Sequence, residues 1–151
     1  MKTPIPAPGR PVFSLSELTD RLRRHTGRVT GQRQAILDIL RLRRRPLTSK
    51  EIFAALPHQD CDLATVYRSL RLLERAGMVK RFDFGDGVAR FELLGEGEDG
   101  HHHHLICTVC TRIVELEECF GEELEAKIAT ASGFKGVTHR LEFFGVCPRC
   151  Q

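Results

Sequence analysis

Asp62-Leu-Ala-Thr-Val-Tyr-Arg-Ser-Leu-Arg-Leu-Leu-Glu-Arg-Ala-Gly77 is the stretch that decides the fold of this chain. Asp62 is a good N-cap, because its carboxylate can accept from the first free backbone N–H groups of a helix. A helix is therefore expected from Leu63 to Ala76, with Gly77 in the usual position after its C-terminus. Upstream, the capping box Thr48-Ser-Lys-Glu51 opens a helix through Ile52, Phe53 and Leu56, and Pro57 stops it. Two helices joined by a turn as short as His58 to Cys61 read as a helix-turn-helix, with the second as the recognition helix. Downstream, Met78 to Phe84 and Val88 to Leu93 are strand-like and separated by Gly85-Asp86-Gly87. A hairpin directly after a recognition helix is the wing of a winged helix.

The pattern extends outward in both directions. Leu15, Leu18 and Leu22 sit at helical spacing between Ser14 and His25, and Gly27 ends that helix. A second helix, about Gly31 to Arg43, places Ile36, Leu37 and Leu40 on one face, with Thr30 as its N-cap and Pro46 breaking the pattern. Residues 1–13 read as a flexible leader, 14–94 as a winged-helix domain, and the glycine-rich, acidic segment 95–100 as a hinge. Residues 101–151 then alternate strand, strand, helix, strand: His101 to Cys107, Arg112 to Leu116, Glu122 to Ser132 with Gly133 as cap, and Val137 to Val146. The expected class is α+β, a winged helix-turn-helix followed by a small α/β domain.

Charge divides along the same line. Up to Arg81 there are 17 Lys and Arg against 7 Asp and Glu, and from Phe82 onward 6 against 13, giving the overall +3. A basic half joined to an acidic half suggests that one part meets a polyanion while the other does something else. The chain has no apolar run of membrane-spanning length and no signal peptide, so a cytoplasmic location is expected. Six cysteines in such a chain point to metal or redox chemistry rather than disulfides.

In the basic half, the recognition helix carries Thr65, Tyr67, Arg68, Arg71 and Arg75. Arginine pairs with a guanine edge or a phosphate, and tyrosine packs on a thymine methyl. Arg28 and Arg33, around the start of the second helix, would follow backbone or minor groove. The run Arg41, Arg43, Arg44 and Arg45 adds attraction without sequence information. Winged helices also bind proteins, so an adaptor role stays open.

In the acidic half, Cys107-x-x-Cys110 and Cys147-x-x-Cys150, separated by 36 residues, match a closed tetrahedral four-cysteine zinc site. Each pair sits at a strand edge, so zinc would pin the first strand to the last. A redox reading would need a thiolate at a helix N-terminus, and neither pair opens an expected helix. Cys61 and Cys119 read as ordinary small residues, and His25 and His58 as surface residues. His101-His102-His103-His104 lies on the first strand, where alternate side chains point to opposite faces. The run can therefore feed two metal sites, which Glu92, Glu115, Glu122 and His139 are placed to complete. Mixed imidazole and carboxylate ligands suit Zn(II), Fe(II) or Mn(II).

With these motifs assembled, the chain resembles the ferric uptake regulator (Fur) family from about Glu17 to Cys150. The matches are Gly27-Arg-Val-Thr-Gly-Gln-Arg33, Leu63-Ala-Thr-Val-Tyr-Arg68, Phe91-Glu-Leu93, His101-His-His-His-Leu-Ile-Cys107 with Cys110, and His139-Arg-Leu141 followed by Cys147 and Cys150. The resemblance implies a homodimeric, metal-dependent repressor of A/T-rich palindromic double-stranded DNA. Tyr67 and Arg68 would read the major groove and Arg28 the minor groove. Glu92, His102, His104 and Glu115 would form an interdomain sensing site, and His101, His103, Glu122 and His139 a second site in the dimerisation domain.

The departures bear on which metal is sensed. Iron- and peroxide-sensing members usually add a histidine where this chain has about Pro46, leaving Asp83 or His25 as candidate substitutes. The peroxide sensor carries aspartate at the Glu92 position. Iron sensors commonly have aspartate at the His103 position, whereas a four-histidine run is more typical of zinc sensors. Those in turn often use a cysteine near the wing's end, which is missing around Glu92. Iron and zinc sensing both stay open. An enzyme is the remaining class, but neither the His-Glu-x-x-His pattern nor the His-x-Glu element of zinc deaminases is present.

Overall fold

The computed structural model describes residues 13–57, 61–94, 102–116 and 121–151. The leader up to residue 12, the turn residues 58–60, the hinge 95–100, His101 and Cys119 lie outside the described residues. The chain forms two compact units, one within Gly9–Gly100 and the other within His101–Gln151.

The first unit runs α1 (Leu15–Thr26), α2 (Gly31–Arg43), β1 (Leu47–Thr48), α3 (Ser49–Ala55), α4 (Leu63–Arg75), β2 (Val79–Asp83) and β3 (Ala89–Leu93). Side-chain caps start its helices. Thr48 and Glu51 form the expected capping box on α3, and Ser14 and Glu17 form a second one on α1. Asp62 accepts from the Thr65 N–H at 2.7 Å and so begins α4. Its far end closes through Gly77, whose φ of +65° needs the absence of a Cβ. The Gly77 N–H donates to Glu74 at 3.0 Å and the Met78 N–H to Leu73 at 2.9 Å, a Schellman ending that turns the chain straight into β2.

Val66, Leu70 and Leu73 recur along one face of α4 and are fully buried with Leu18, Leu22, Ile36, Leu37 and Ile52. Against them lies an antiparallel sheet in the order β1-β3-β2, with Phe91 paired to Leu47 on one side and Arg81 on the other. The two-residue strand β1 was not expected, since it is too short to show a period of two. Arg21 crosses this unit almost wholly buried, donating to the carbonyls of Gly77 at 2.7 Å and Leu94 at 2.9 Å. The helix exit and the end of the wing are thus tied to α1.

The second unit contains β4 (His103–Cys107), β5 (Ile113–Leu116), α5 (Glu122–Ser132) and β6 (Glu142–Gly145). The sheet order is β5-β4-β6, with β5 antiparallel and β6 parallel to the central strand. One expectation is corrected here. The last strand does not begin at Val137; pairing with β4 starts at the partners His104 and Glu142. Gly136, at φ +65°, turns the chain beforehand, and the intervening segment carries His139 off the sheet to meet other side chains. Among the described residues, Ile106 and Cys107 are this unit's only fully buried hydrophobic side chains, and α5 buries none of its residues.

Candidate metal centres and nucleic-acid interface

The parallel pairing of β4 with β6 sets Cys107 opposite Gly145, so the turns after both strands bring the two cysteine pairs together. In the first turn the Thr111 N–H donates to the Cys107 carbonyl at 3.0 Å, and Thr111 adopts a left-handed φ of +57°. In the second, the Cys150 N–H donates to the Cys147 carbonyl at 2.8 Å. All four Sγ atoms lie within 4.8 Å of one another, and Cys110 and Cys147 are 3.7 Å apart, sulfur to sulfur. Four thiolates at about 2.3 Å from a tetrahedral zinc stand about 3.8 Å apart, whereas a disulfide needs about 2 Å. The donor set therefore fits zinc.

The backbone prepares the cluster for a cation. Cys107 Sγ accepts the N–H groups of Cys110 at 3.5 Å and Cys147 at 3.4 Å. These bonds hold its thiol down to about 6. Cys150 is pushed up to about 12, because the sulfurs of Cys147 and Cys110 share its proton. Four sulfurs gathered this closely cannot all carry charge until a cation neutralises them. Cys61, by contrast, is a partly buried thiol raised by desolvation, its Sγ 3.5 Å from the Asp62 carbonyl.

His104 on β4 and His102, the residue just before that strand, come together with their rings edge to face, centroids 4.7 Å apart. Glu115 stands directly across from His104 on β5, so its side chain shares that face. His104 is only 1% exposed. Glu92 belongs to the other unit, on β3 opposite Lys80, and is 2% exposed. Asp83 uses its carboxylate to accept the Gly85 N–H at 2.9 Å within the wing turn, and His25 is exposed at the end of α1. Pro46 is buried beside β1.

His103, on the opposite side of β4, meets His139. Their Nε2 atoms are 3.1 Å apart. His103 Nδ1 is 3.1 Å from the Leu141 carbonyl, and His139 Nδ1 is 2.6 Å from a carboxylate oxygen of Glu125. Glu122, the residue singled out from sequence, is exposed on the first turn of α5. Glu125 was missed; its signal was the i, i+3 spacing that puts it on the same helix face as Glu122.

On the first unit, α4 turns Tyr67, Arg68 and Arg71 outward from its buried face, Tyr67 being 45% exposed. Arg68 is held ready by a 2.8 Å bond to the Thr65 hydroxyl, with the Asp62 carboxylate 3.8 Å away. Arg33 and Arg28 are joined through a 3.0 Å bond from the Arg33 guanidinium to the Arg28 carbonyl. Arg33, Thr65, Arg68 and Arg71 share a groove of about 400 Å³ between the start of α2 and α4, with Thr30, Gln32 and Arg75 also in its walls. Gln32 and Thr30, the latter expected only as an N-cap, are not among the DNA contacts expected from sequence, since neither carries a charge to flag it. Tyr67 and Arg28 lie outside that lining.

Comparison with known proteins comes to one answer. The sequence profile of the ferric uptake regulator family matches residues 25–144. The ferric uptake regulation protein of Bacillus subtilis is 37% identical over 127 residues, covering 82% of this chain and 85% of that protein. The peroxide operon regulator of the same organism is 36% identical over 139 residues, covering 91% and 93%. The crystal structure of the Vibrio cholerae ferric uptake regulator superposes with a TM-score of 0.74 at 29% identity, over 86% of this chain and 99% of that one.

Proposed function

The chain belongs to the ferric uptake regulator family, and from that premise we propose how its residues divide the work of a metal-responsive repressor. It is a DNA-binding transcriptional regulator that answers to a metal ion. The operator is an A/T-rich palindrome, bound by a homodimer in the cytoplasm, and the chain catalyses no reaction. The observation that carries the DNA reading is the groove walled by Arg33, Arg68, Arg71 and Arg75 beside the outward face of α4. Four guanidinium groups around one depression favour phosphate, and Tyr67 and Arg68 stand forward to meet base edges. Arg28 follows the minor groove.

Dimerisation is supported by the apolar surface of the second unit. Leu124 and Ile128 on α5 are 51% and 45% exposed, Phe134 is 72% and Phe144 53%. A helix with no fully buried residue and with its apolar side chains Leu124 and Ile128 exposed, together with exposed aromatic rings, fits the half-interface of a symmetric pair.

Three metal roles follow. Zinc at Cys107, Cys110, Cys147 and Cys150 is structural, since four thiolates close the coordination sphere. The regulatory ion, Fe(II), Zn(II) or Mn(II), is held by His102, His104 and Glu115 together with Glu92. The edge-to-face rings of His102 and His104, with Glu115 directly across from His104, support that assignment. The second ion is held by His103, His139, Glu122 and His101. A regulatory metal whose ligands come from both units shifts DNA binding only if it prefers the DNA-competent arrangement, by roughly 5 kcal/mol for a near-complete switch.

Selection of bound duplexes from a randomised library, with and without Fe(II), Mn(II) or Zn(II), tests this reading. Recovery of an A/T-rich palindrome only when metal is present is expected. Failure to enrich any duplex under all three metals would refute it and leave a protein-binding adaptor instead.

A further inference from the structure

We propose that Glu125 is the positioning residue of the second histidine centre, fixing the His139 ring so that its Nε2 lone pair faces His103. The proposal rests on the reading of His103 and His139 as metal ligands. It starts from hydrogen-bonding capacity. An ionised carboxylate can only accept, so at 2.6 Å the Glu125 oxygen takes a proton from His139 Nδ1. The Leu141 carbonyl also only accepts, so His103 Nδ1 donates to it across 3.1 Å. When both imidazoles are neutral each carries one N–H, already given to its acceptor, so both Nε2 atoms then present a lone pair, as metal ligation requires.

Those two atoms face each other at 3.1 Å, with the rings tilted by 31°. Two nitrogens at such a distance can converge on one cation, since ligand nitrogens at about 2.0–2.1 Å from a tetrahedral zinc stand about 3.3–3.4 Å apart. Each ring is oriented from behind by an acceptor, the arrangement that metal-ligating histidines generally use. His139 is gripped on a second side as well, because a Cβ at Gly121 would overlap its ring. Glu122, one turn before Glu125 and exposed, remains the carboxylate available as a ligand. The two acids of α5 thus take different parts.

The test is made on full-length protein with zinc kept at the cysteines and the other sites emptied. Long-range proton–nitrogen NMR on 15N-histidine-labelled protein reads the His139 tautomer directly. The Nδ1–H form is expected in the wild type and in Glu125→Gln, whose amide oxygen still accepts. It should be lost in Glu125→Ala, where Nε2–H becomes populated. Calorimetric titration with Co(II) should show second-site affinity falling about 10- to 100-fold in Glu125→Ala and only about threefold or less in Glu125→Gln. An unchanged Nδ1–H tautomer in Glu125→Ala would overturn the proposal. So would a Glu125→Gln variant that keeps the tautomer yet loses Co(II) as fully as Glu125→Ala, since the carboxylate would then be a ligand. Failure of the underlying site is a separate result, with His139→Ala binding as many Co(II) ions as the wild type; the tautomer comparison still judges Glu125 in that event.

Discussion

Cys107→Ser removes the one cysteine of the four that is buried, and its effect can be worked from the geometry. A structural zinc contributes about 10–16 kcal/mol to a small domain at neutral pH, so one thiolate's even share is about 2.5–4 kcal/mol. The Cys107 sulfur also accepts two backbone N–H groups at 3.4 and 3.5 Å. At about 1 kcal/mol each, these raise the loss to about 4.5–6 kcal/mol, a factor of about two thousand or more in the folded population. The second unit has little to set against that, with only Ile106 and Cys107 as buried hydrophobics among its described residues. Whole domains are stable by about 5–15 kcal/mol, so the loss takes most or all of the margin. Zinc content per chain, size-exclusion mass and hydrogen exchange together read the outcome. The variant should lose its structural zinc, run as a monomer and exchange the β4 amides rapidly. The α4 amides should keep their protection, because their core of Leu18, Ile36, Leu70 and Leu73 does not draw on the four clustered cysteines. A Cys107→Ser dimer with full zinc and protected β4 amides would refute the reasoning.

Three further outcomes are expected. His104→Ala should leave the dimer folded but require at least about tenfold more free metal for half-maximal DNA binding, the scale on which outer-shell partners alone already act; equal metal titrations for variant and wild type would reject His104 as a sensing ligand. Arg68→Ala should cost about 1–3 kcal/mol at its own base pair, while Arg71→Ala should weaken all sequences alike and lower the salt slope by about one, both read by anisotropy across salt and operator variants. Asp86, hydrogen-bonded by the Arg90 guanidinium, is lowered from 3.8 to about 2, so its contribution to wing stability is present above about 4 and is lost as pH falls towards 2. The melting difference between the wild type and Asp86→Asn should accordingly be flat from neutral pH down to about 5 and vanish on further acidification.

Local chemistry made the first unit readable. Thr30, Thr48, Asp62 and Gly77 punctuate the helices, and every one of them caps in the structure or ends a helix. The strand β1 escaped because two residues cannot display a period, and its pairing with β3 is a long-range choice made by packing. The late start of the last strand escaped for a different reason. Val137 to Leu141 has strand-like composition, but His139 is drawn towards Glu125 and His103, and that tertiary demand overrides local preference. The cysteine cluster was legible because spacing alone dictates a tetrahedral set. The histidine run was legible as two faces of one strand, and His102 with His104 and His103 with His139 follow that division. Glu125 was not, because three acids stand in the first turns of α5 and only the fold decides which of them reaches His139. Likewise Gln32 and Thr30 join the groove only once α2 and α4 are packed.

The central claim, that metal drives this chain onto DNA, is tested most directly by fluorescence anisotropy of an A/T-rich palindromic duplex. The protein retains its structural zinc while Fe(II), Mn(II) and Zn(II) are each buffered across a range of free concentrations. The account predicts weak binding without added metal and a saturable rise with at least one of the three, the most effective ion identifying the metal sensed. Equally tight binding at every free metal concentration, or none on any duplex with all three ions, would contradict it.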